Sequence, residues 1–332
     1  MNKLSEPKTY KLESRSGLEL EISNLGATIL SLKVPNKKGE LVNVVVGLSR
    51  ASDYTTEFYL DQGLYLGSTI GRHAGRISGG AIEIEGKRYS LYNENGIHLH
   101  GGKEAFDKKI WEVEASESED TPSITLSYLS KHLEEGYPGN LKISVTYTLT
   151  LDRALKIAFR ATTDQTTVLN VTNHAYFNLK GEGSILDHEL ELKTDSYLDL
   201  NDDLIPTGKF NPIKESSYDY STPSKIGRSG FNGLDDIFIL HEEGVKAIIS
   251  SEESGIQMTV VSNQPAVVIY TPPKFAKLPF KDGAEFEEYP AICFEAQGFP
   301  DALNYDNFPS TLLKPSEVFE SETSYKFSLV EK

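Results

Sequence analysis

Cysteine is nearly absent from this chain of 332 residues, and its scarcity excludes two kinds of site. The single cysteine, Cys293, cannot form an intrachain disulfide, and it cannot build a metal site from several thiolates. Cys293 lies in an apolar run, so we predict a buried and unreactive thiol, because buried cysteines behave as small hydrophobic residues.

Long apolar segments and an excess of positive charge are also lacking. No segment approaches the ~20 apolar residues of a membrane-spanning helix, and residues 1–8 lack the apolar core of a signal peptide. The chain carries 33 basic and 49 acidic residues, and its formal net charge of −16 repels phosphate backbones and anionic lipid surfaces. We therefore expect neither nucleic acid nor a membrane as a partner. A cytoplasmic location fits best, and a secreted protein that has lost its signal peptide is the alternative.

Helical periodicity is missing, and alternation of apolar and polar residues takes its place. In residues 141–151 every second residue is apolar, which is typical of an antiparallel strand with one face on a core. Residues 155–159 repeat the alternation after a short turn and predict a hairpin, and residues 82–91 predict another. Further strands are predicted at 18–22, 267–270 and 325–329.

A linker is missing as well. The 26 glycines and 15 prolines are spread along the chain and nowhere cluster into a segment long enough to divide it. Many strands, scattered turns and only short helical pieces predict an all-β fold of antiparallel sheets. We expect residues 1–332 to form a single domain.

Three short segments place proton-transfer groups at the ends of predicted strands. His174 follows the apolar run 168–171, Glu295 follows the apolar run 291–294, and His100 precedes two glycines. Imidazoles and a carboxylate can move protons at neutral pH without a cofactor. An unpaired buried charge is costly, so Glu295 is either paired with a cation or functional. Whether these groups meet in space decides between one catalytic site and separate structural residues.

Two charged segments are further candidates for a site. Arg72 and Arg76 lie in a glycine-rich loop that presents cations either to a ligand or to solvent. Asp235 follows a turn at Gly233 and either contributes to the site or begins a strand with a solvated carboxylate.

A metal site is an alternative for the histidines. On a strand, His98 and His100 would point to the same face, and Glu104 follows them, as in the first half of a cupin metal motif. The flanks differ from that motif, because Tyr92 and Trp111 stand where it has glycines. We therefore predict that the protein binds no metal.

Seven short motifs occur along the chain in an order known from one family. They are residues 24–27, 75–77, 99–102, 137–139, 173–179, 233–235 and 295–302. Each is weak alone, but together the chain resembles the aldose 1-epimerases (galactose mutarotases) over nearly its whole length. The resemblance implies a β-supersandwich fold, exchange between the α and β anomers of free aldohexoses such as glucose and galactose, and no cofactor.

The same resemblance assigns roles to individual residues. Glu295 matches the family's catalytic base and His174 its catalytic acid. Anomer exchange needs one proton taken from the C1 hydroxyl and one delivered to the ring oxygen, and a histidine near its ordinary pKa of ~6.5 suits the second step. We expect the two groups to lie on opposite sides of one sugar ring. The residues that match positions around the sugar are Arg76, His100 and Asp235, with Gln297 close to the site.

Expectations about the surroundings follow from this assignment. The carboxylate of Glu295 should lie beside Arg76 or another donor, so that burial does not neutralise it. Tyr176 or Phe299 could stack on the sugar ring, although aromatic residues more commonly pack in a core. A monosaccharide is the expected ligand, and a monomer or weak homodimer is the expected assembly.

Two further functions are open. A hexose-6-phosphate 1-epimerase would need a cationic cluster for the phosphate, which Arg72, Arg76 and Lys274 could supply. A non-catalytic sugar-binding protein would not require an acid and a base together. Departures from the family at Gly75, Asp236 and residues 270–274 lie at predicted pocket edges and leave the preferred sugar open.

Overall fold

The computed structural model describes residues 6–117 and 121–330, and within these ranges the chain is built mainly of antiparallel β-strands. One α-helix is present there, α1 at Glu57–Leu60, which the Thr56 hydroxyl caps. The predicted all-β class with only short helical pieces is therefore confirmed. No helix in the described part is long and apolar enough to cross a membrane. Turns of 3-10 helix lie at Ala51–Thr55, Ser78–Gly80, Phe106–Lys108, Glu134–Gly136, Lys281–Gly283 and Ala302–Asn304.

The first half of the chain forms short strands and a few long ones. These strands are β1 (Thr9–Glu13), β2 (Glu19–Ser23), β3 (Thr28–Pro35), β4 (Leu41–Asn43), β5 (Thr69–Ile70), β6 (Arg76–Ile77), β7 (Ala81–Ile84), β8 (Lys87–Ser90), β9 (His98–Leu99), β10 (Glu112–Glu117), β11 (Ser123–Ser130), β12 (Leu141–Leu149) and β13 (Ala154–Thr163).

The second half adds the strands that carry most of the candidate site. These strands are β14 (Thr167–Val168), β15 (Thr172–Asn173), β16 (Tyr176–Phe177), β17 (Glu189–Leu192), β18 (Ser196–Leu200), β19 (Pro206–Pro212), β20 (Ser224–Lys225), β21 (Asp235–Ile239), β22 (Val245–Ser250), β23 (Ile256–Ser262), β24 (Ala266–Tyr270), β25 (Ile292–Gln297), β26 (Leu312–Leu313) and β27 (Phe319–Leu329).

Nine strands form the largest sheet, in the order β10-β11-β12-β13-β27-β23-β22-β17-β20. The predicted hairpin is β12 with β13, which pair in register from Leu141 opposite Thr163 to Leu149 opposite Leu155. Along β12 the odd-numbered residues are buried, as the alternation predicted. Burying one such Leu, Ile or Val side chain stabilises the fold by roughly 1.5–3 kcal/mol.

Six strands form the second sheet, β16-β25-β24-β21-β18-β19, which carries the candidate site. Strand β25 lies between β16 and β24, and all six of its residues are buried. Because alternate residues of a strand point to the same face, Cys293, Glu295 and Gln297 share one face of β25. Asp235, the first residue of β21, lies opposite Tyr270 of β24.

Short ladders bring the remaining candidate segments to this second sheet. Strand β5 pairs with β15, which ends one residue before His174. Strand β6 pairs with β9 and places Arg76 opposite Leu99, next to His100. The hairpin predicted at residues 82–91 is β7 with β8, and the strands predicted at 18–22, 267–270 and 325–329 overlap β2, β24 and β27.

The main hydrophobic core contains residues from both ends of the described chain. It extends from Leu12 in β1 to Phe327 in β27 and includes buried side chains of both large sheets. Cys293 is fully buried in a smaller neighbouring cluster, so the prediction of a buried thiol is confirmed.

Candidate active site

A polar pocket of about 160 Å³ opens over the second sheet and brings the candidate residues together. Strands β21 and β25 contribute its carboxylates, and β25 also contributes Gln297. The segment between β15 and β16 contributes His174, and Arg76 and His100 come from β6 and the turn after β9. All six residues predicted for the site line this pocket: Arg76, His100, His174, Asp235, Glu295 and Gln297.

Glu295 and His174 form a buried contact at the floor of the pocket. The distance from His174 Nε2 to Glu295 Oε1 is 3.3 Å, and both side chains are about 5% exposed or less. The two groups therefore lie side by side, rather than on opposite sides of a sugar. Two oxygens bonded to one sugar carbon could contact this pair together.

The backbone and three tyrosines fix the ring of His174. The backbone N–H of His174 donates to the Ser68 carbonyl, and the backbone carbonyl of His174 accepts from the Gly67 N–H, at 2.9 Å each. The imidazole stacks on Tyr176 at a centroid distance of 5.0 Å and an interplanar angle of 19°. Tyr65 also stacks on the imidazole, at a centroid distance of 6.0 Å. Tyr270 contacts it edge-on, at a centroid distance of 6.4 Å.

Burial shifts the pKa values of this pair in opposite directions. Burial lowers the pKa of His174 to about 4, and a hydrogen bond to its own backbone opposes that shift. Burial, and then the nearby Asp235, raise the pKa of Glu295 well above its usual value, while Arg76 lowers it. The expectation of a histidine pKa near 6.5 is therefore wrong, and Arg76 does not offset the burial of the carboxyl. Burial therefore favours the neutral pair.

His100 is held at a sharp turn and offers one nitrogen to the pocket. It adopts a left-handed φ of 49°, and its Nδ1 accepts from the Gly75 N–H at 3.2 Å. The neutral ring therefore carries its hydrogen on Nε2, which can donate to a sugar hydroxyl. The next residue, Gly101, has φ +89°, and a Cβ there would lie 1.9 Å from the Gly71 carbonyl oxygen. Only glycine fits at this point.

Arg76, Asp235 and Gln297 supply the remaining polar groups. Burial raises the pKa of Asp235, and the charge of Arg76 opposes that shift. Gln297 is fully buried, and its Nε2 lies 3.4 Å from the carbonyl oxygens of Ala74 and Gly298. Its Oε1 has no hydrogen-bond partner among the described residues. A buried acceptor of this kind needs a donor, such as a ligand hydroxyl.

Aromatic and aliphatic side chains form the pocket walls. Tyr65, Tyr176 and Tyr270 line it, and Tyr176 is also buried in a core cluster, so its stacking on a sugar ring stays a prediction. Phe299 instead packs in a core cluster and contacts Phe308 edge-on at 5.1 Å, so it is not available to a sugar. Tyr270 begins the segment 270–274 that was predicted at a pocket edge, whereas Tyr65 was missed, because a tyrosine near glycines carries no signal that separates a pocket wall from a core.

Arg72 does not reach the pocket, and the predicted loop of two presented cations is wrong. Its side chain is 2% exposed, and burial lowers its pKa to about 10. The guanidinium donates six hydrogen bonds at 2.8–3.3 Å, so it clamps neighbouring loops together. The acceptors of Arg72 belong to Ser130, Lys131, Pro138, Gly139 and Thr167.

Lys274 is exposed and lies outside the pocket lining.

His98 and His100 do not form the metal-ligand pair considered from their spacing. The ring of His98 is buried between the Tyr92 carbonyl and the Tyr137 hydroxyl, each at 2.5 Å, away from the pocket. A different trio is geometrically able to share a metal ion, since one ligand atom each of His100, His174 and Glu295 lie within 4.8 Å of one another. The absence of a metal therefore stays a prediction.

Comparison with known proteins places the chain among sugar epimerases. The aldose 1-epimerase family profile matches residues 8–326. Galactose mutarotase of Pongo abelii is 37% identical over 94% of this chain and 92% of its own length. Aldose 1-epimerase of Escherichia coli (strain K12) is 30% identical over 95% and 94%. The crystal structure of an aldose epimerase homologue from C. elegans has a TM-score of 0.90 at 28% identity and covers 98% of this chain and 100% of its own. The predicted supersandwich fold is confirmed.

Proposed function

This chain belongs to the aldose 1-epimerase family and is an isomerase that exchanges the α and β anomers of aldoses, and we propose that Glu295 and His174 are its catalytic base and acid. The observation that carries this assignment is the 3.3 Å contact between the two side chains in a buried pocket. A binding protein would not need two proton-transfer groups in contact.

The reaction transfers two protons, and over the full cycle Glu295 and His174 return to their starting protonation states. The Glu295 carboxylate takes the proton of the C1 hydroxyl while protonated His174 donates its Nε2 proton to the ring oxygen, and the C1–O5 bond breaks. Rotation about C1–C2 presents the other face of the aldehyde. Closure then reverses both transfers and gives the opposite anomer.

Ring opening converts the charged pair into the neutral pair. The neutral pair is the form that burial favours, so the low-dielectric pocket assists this step. Because burial raises the pKa of Glu295 and lowers that of His174, the shared proton starts on Glu295 and must cross to His174 Nε2 before the sugar opens. The 3.3 Å contact provides that path without a water molecule.

The other pocket residues orient the sugar in this proposal. His100 Nε2–H and Arg76 donate to ring hydroxyls, and Asp235 and the unpartnered Gln297 Oε1 accept from them. Neutral free hexoses such as glucose and galactose fit this lining. A hexose 6-phosphate would need cations that Arg72 and Lys274 do not bring to the pocket.

The test is polarimetry on freshly dissolved α-D-galactose and α-D-glucose. Glu295→Gln and His174→Ala should each lower kcat/KM by about 10²–10⁴-fold, as expected for loss of one acid–base group. Matched controls are Glu287→Gln and His241→Ala, which change an exposed carboxylate and an exposed imidazole. A near-wild-type rate in either pocket variant, with both controls active, would refute the roles.

Broader features of the protein belong to the same proposal. We propose a single catalytic domain, which the profile match over residues 8–326 supports, that works without metal as a monomer or weak homodimer. A cytoplasmic role in hexose and galactose metabolism fits the single cysteine of the chain.

A further inference from the structure

We propose that Cys293 is a positioning residue that holds His174 in the tautomer with hydrogen on Nδ1. The inference rests on the acid role proposed for His174 and adds a reason why that ring can act. An acid that donates from Nε2 becomes neutral with its remaining hydrogen on Nδ1. Something must therefore accept from Nδ1, and the geometry identifies the sulfur of Cys293.

The contact is built by strand register rather than by a flexible loop. Cys293 lies opposite Tyr176 of β16 and opposite Tyr270 of β24, both of which line the pocket. Its Sγ lies 3.5 Å from His174 Nδ1, and its side chain shares a face of β25 with Glu295. The two ring nitrogens of His174 thus contact two residues of one strand.

Each contact has a distinct chemical character. Glu295 exchanges a proton with Nε2, whereas the thiol is fully buried and stays protonated, because burial raises its pKa well above the usual value. A thiol sulfur is a weak, neutral acceptor. It orients the Nδ1–H without the charge stabilisation that a carboxylate would give to the imidazolium, so the ring keeps a strong tendency to release its Nε2 proton.

Tyr176 contacts both His174 and Cys293. The ring stacks on the His174 imidazole, and the tyrosine hydroxyl hydrogen-bonds to the Cys293 thiol. With the Tyr176 hydroxyl as a donor, the sulfur keeps a further lone pair that can accept from Nδ1–H. The His174 ring also forms a hydrogen bond with its own backbone. That bond raises the pKa of His174, as expected when a carbonyl accepts from a protonated ring nitrogen.

The test is ¹⁵N NMR of histidine-labelled protein at neutral pH, with the His174 signals assigned from His174→Gln. The ring of the free wild-type protein should show a protonated Nδ1 and an unprotonated, accepting Nε2. In Cys293→Ala the tautomers should mix, and kcat should fall by about tenfold with KM within about twofold, at the low end of losses from removing an orienting partner of histidine. Cys293→Ser, which keeps an acceptor, should stay within about threefold of wild type.

Each outcome decides the question. A wild-type ring with hydrogen on Nε2 alone would overturn the proposal without any variant, even if Cys293→Ala fails to fold. An alanine variant that is less stable but keeps the tautomer and kcat would show that the thiol only fills space. Failure of the acid role itself would appear separately, as full activity of His174→Ala.

Discussion

A buried carboxyl and a buried imidazole in contact behave as one titrating unit. Glu295 is 3% exposed and His174 is 4% exposed, and burial disfavours the charge on each. In the proposed mechanism the unit holds one proton, and only the position of that proton changes during the reaction. Its two apparent pKa values belong to the pair rather than to either residue.

The pH profile of kcat/KM should reflect this unit. Because burial lowers the pKa of His174 to about 4, the pair takes up a second proton only in that region and then has no base. Activity should therefore fall below about pH 4, and it should not fall between pH 7 and pH 5, where an ordinary histidine of pKa ~6.5 would already titrate. Because burial raises the pKa of Glu295, the basic limb should lie well above the usual range of a carboxyl group.

The measurement is polarimetry across pH, with the spontaneous rate subtracted and folding at each pH checked by circular dichroism. A tenfold loss of kcat/KM between pH 7 and pH 5 in folded protein would contradict the shifted pKa values of Glu295 and His174.

Single residues also show where sequence reasoning stops. Glu295 and His174 were identifiable because their motifs keep a fixed order, and Cys293 was identifiable as buried from its apolar run. Their protonation was not, since it depends on burial in the folded chain and, for Glu295, on Asp235 and Arg76, which lie far from it in sequence. Arg72 resembles Arg76 in its loop, but its carbonyl acceptors lie about 60 residues away and no local pattern reveals them.

At the scale of elements, two loops set the position of His100, which lines the pocket. The turn after β9 packs directly on the segment after β5, and the close approach of Gly101 to the Gly71 carbonyl fixes it. His100 is therefore oriented by backbone packing as well as by its bond from Gly75.

Gly101→Ala should separate this packing from simple backbone strain. Gly96→Ala is the matched control, because Gly96 has φ +83° against +89° for Gly101 but has open space around its Cβ. Both changes should cost about 1–2 kcal/mol of unfolding free energy from the left-handed backbone, and Gly101→Ala should cost more, because its Cβ would clash with the Gly71 carbonyl oxygen. Only Gly101→Ala should also displace His100 and lower kcat/KM, by roughly tenfold or more.

Chemical denaturation and polarimetry on the same preparations give both quantities. Equal kinetic effects in the two variants, or none in Gly101→Ala, would show that the turn does not position His100.

The alternation of apolar residues predicted the long strands well, because one face of β12 and β13 packs on the core. The short ladders β5 with β15 and β6 with β9 were not predicted, since two-residue strands have no periodicity. Those ladders bring the arginine and histidine segments to the second sheet, so the assembly of the site was the part that sequence pattern could not supply.

At the scale of the whole molecule, charge sets which sugars can enter. A net charge of −16 repels anions but does not act on a neutral hexose. The burial of Arg72 removes one of the cations that a phosphate could have used.

Glucose 6-phosphate should therefore be a poor substrate. We expect its kcat/KM to be at least about tenfold below that of glucose at low ionic strength and to rise with added salt, while the value for glucose stays constant. Enzyme-accelerated anomer exchange followed by NMR measures both sugars in the same way. Equal rates for the two sugars at low salt would contradict this reading of the pocket.

The central claim is that Glu295 and His174 act as one proton-transfer unit, and a double-mutant cycle tests it most directly. Polarimetric rates of wild type, Glu295→Gln, His174→Ala and the double variant are compared at enzyme concentrations that keep each above the spontaneous rate. Residues that act as a unit have non-additive effects, so the double variant should lose about as much kcat/KM as either single variant. Losses that multiply, or a single variant that keeps nearly full activity, would contradict the account.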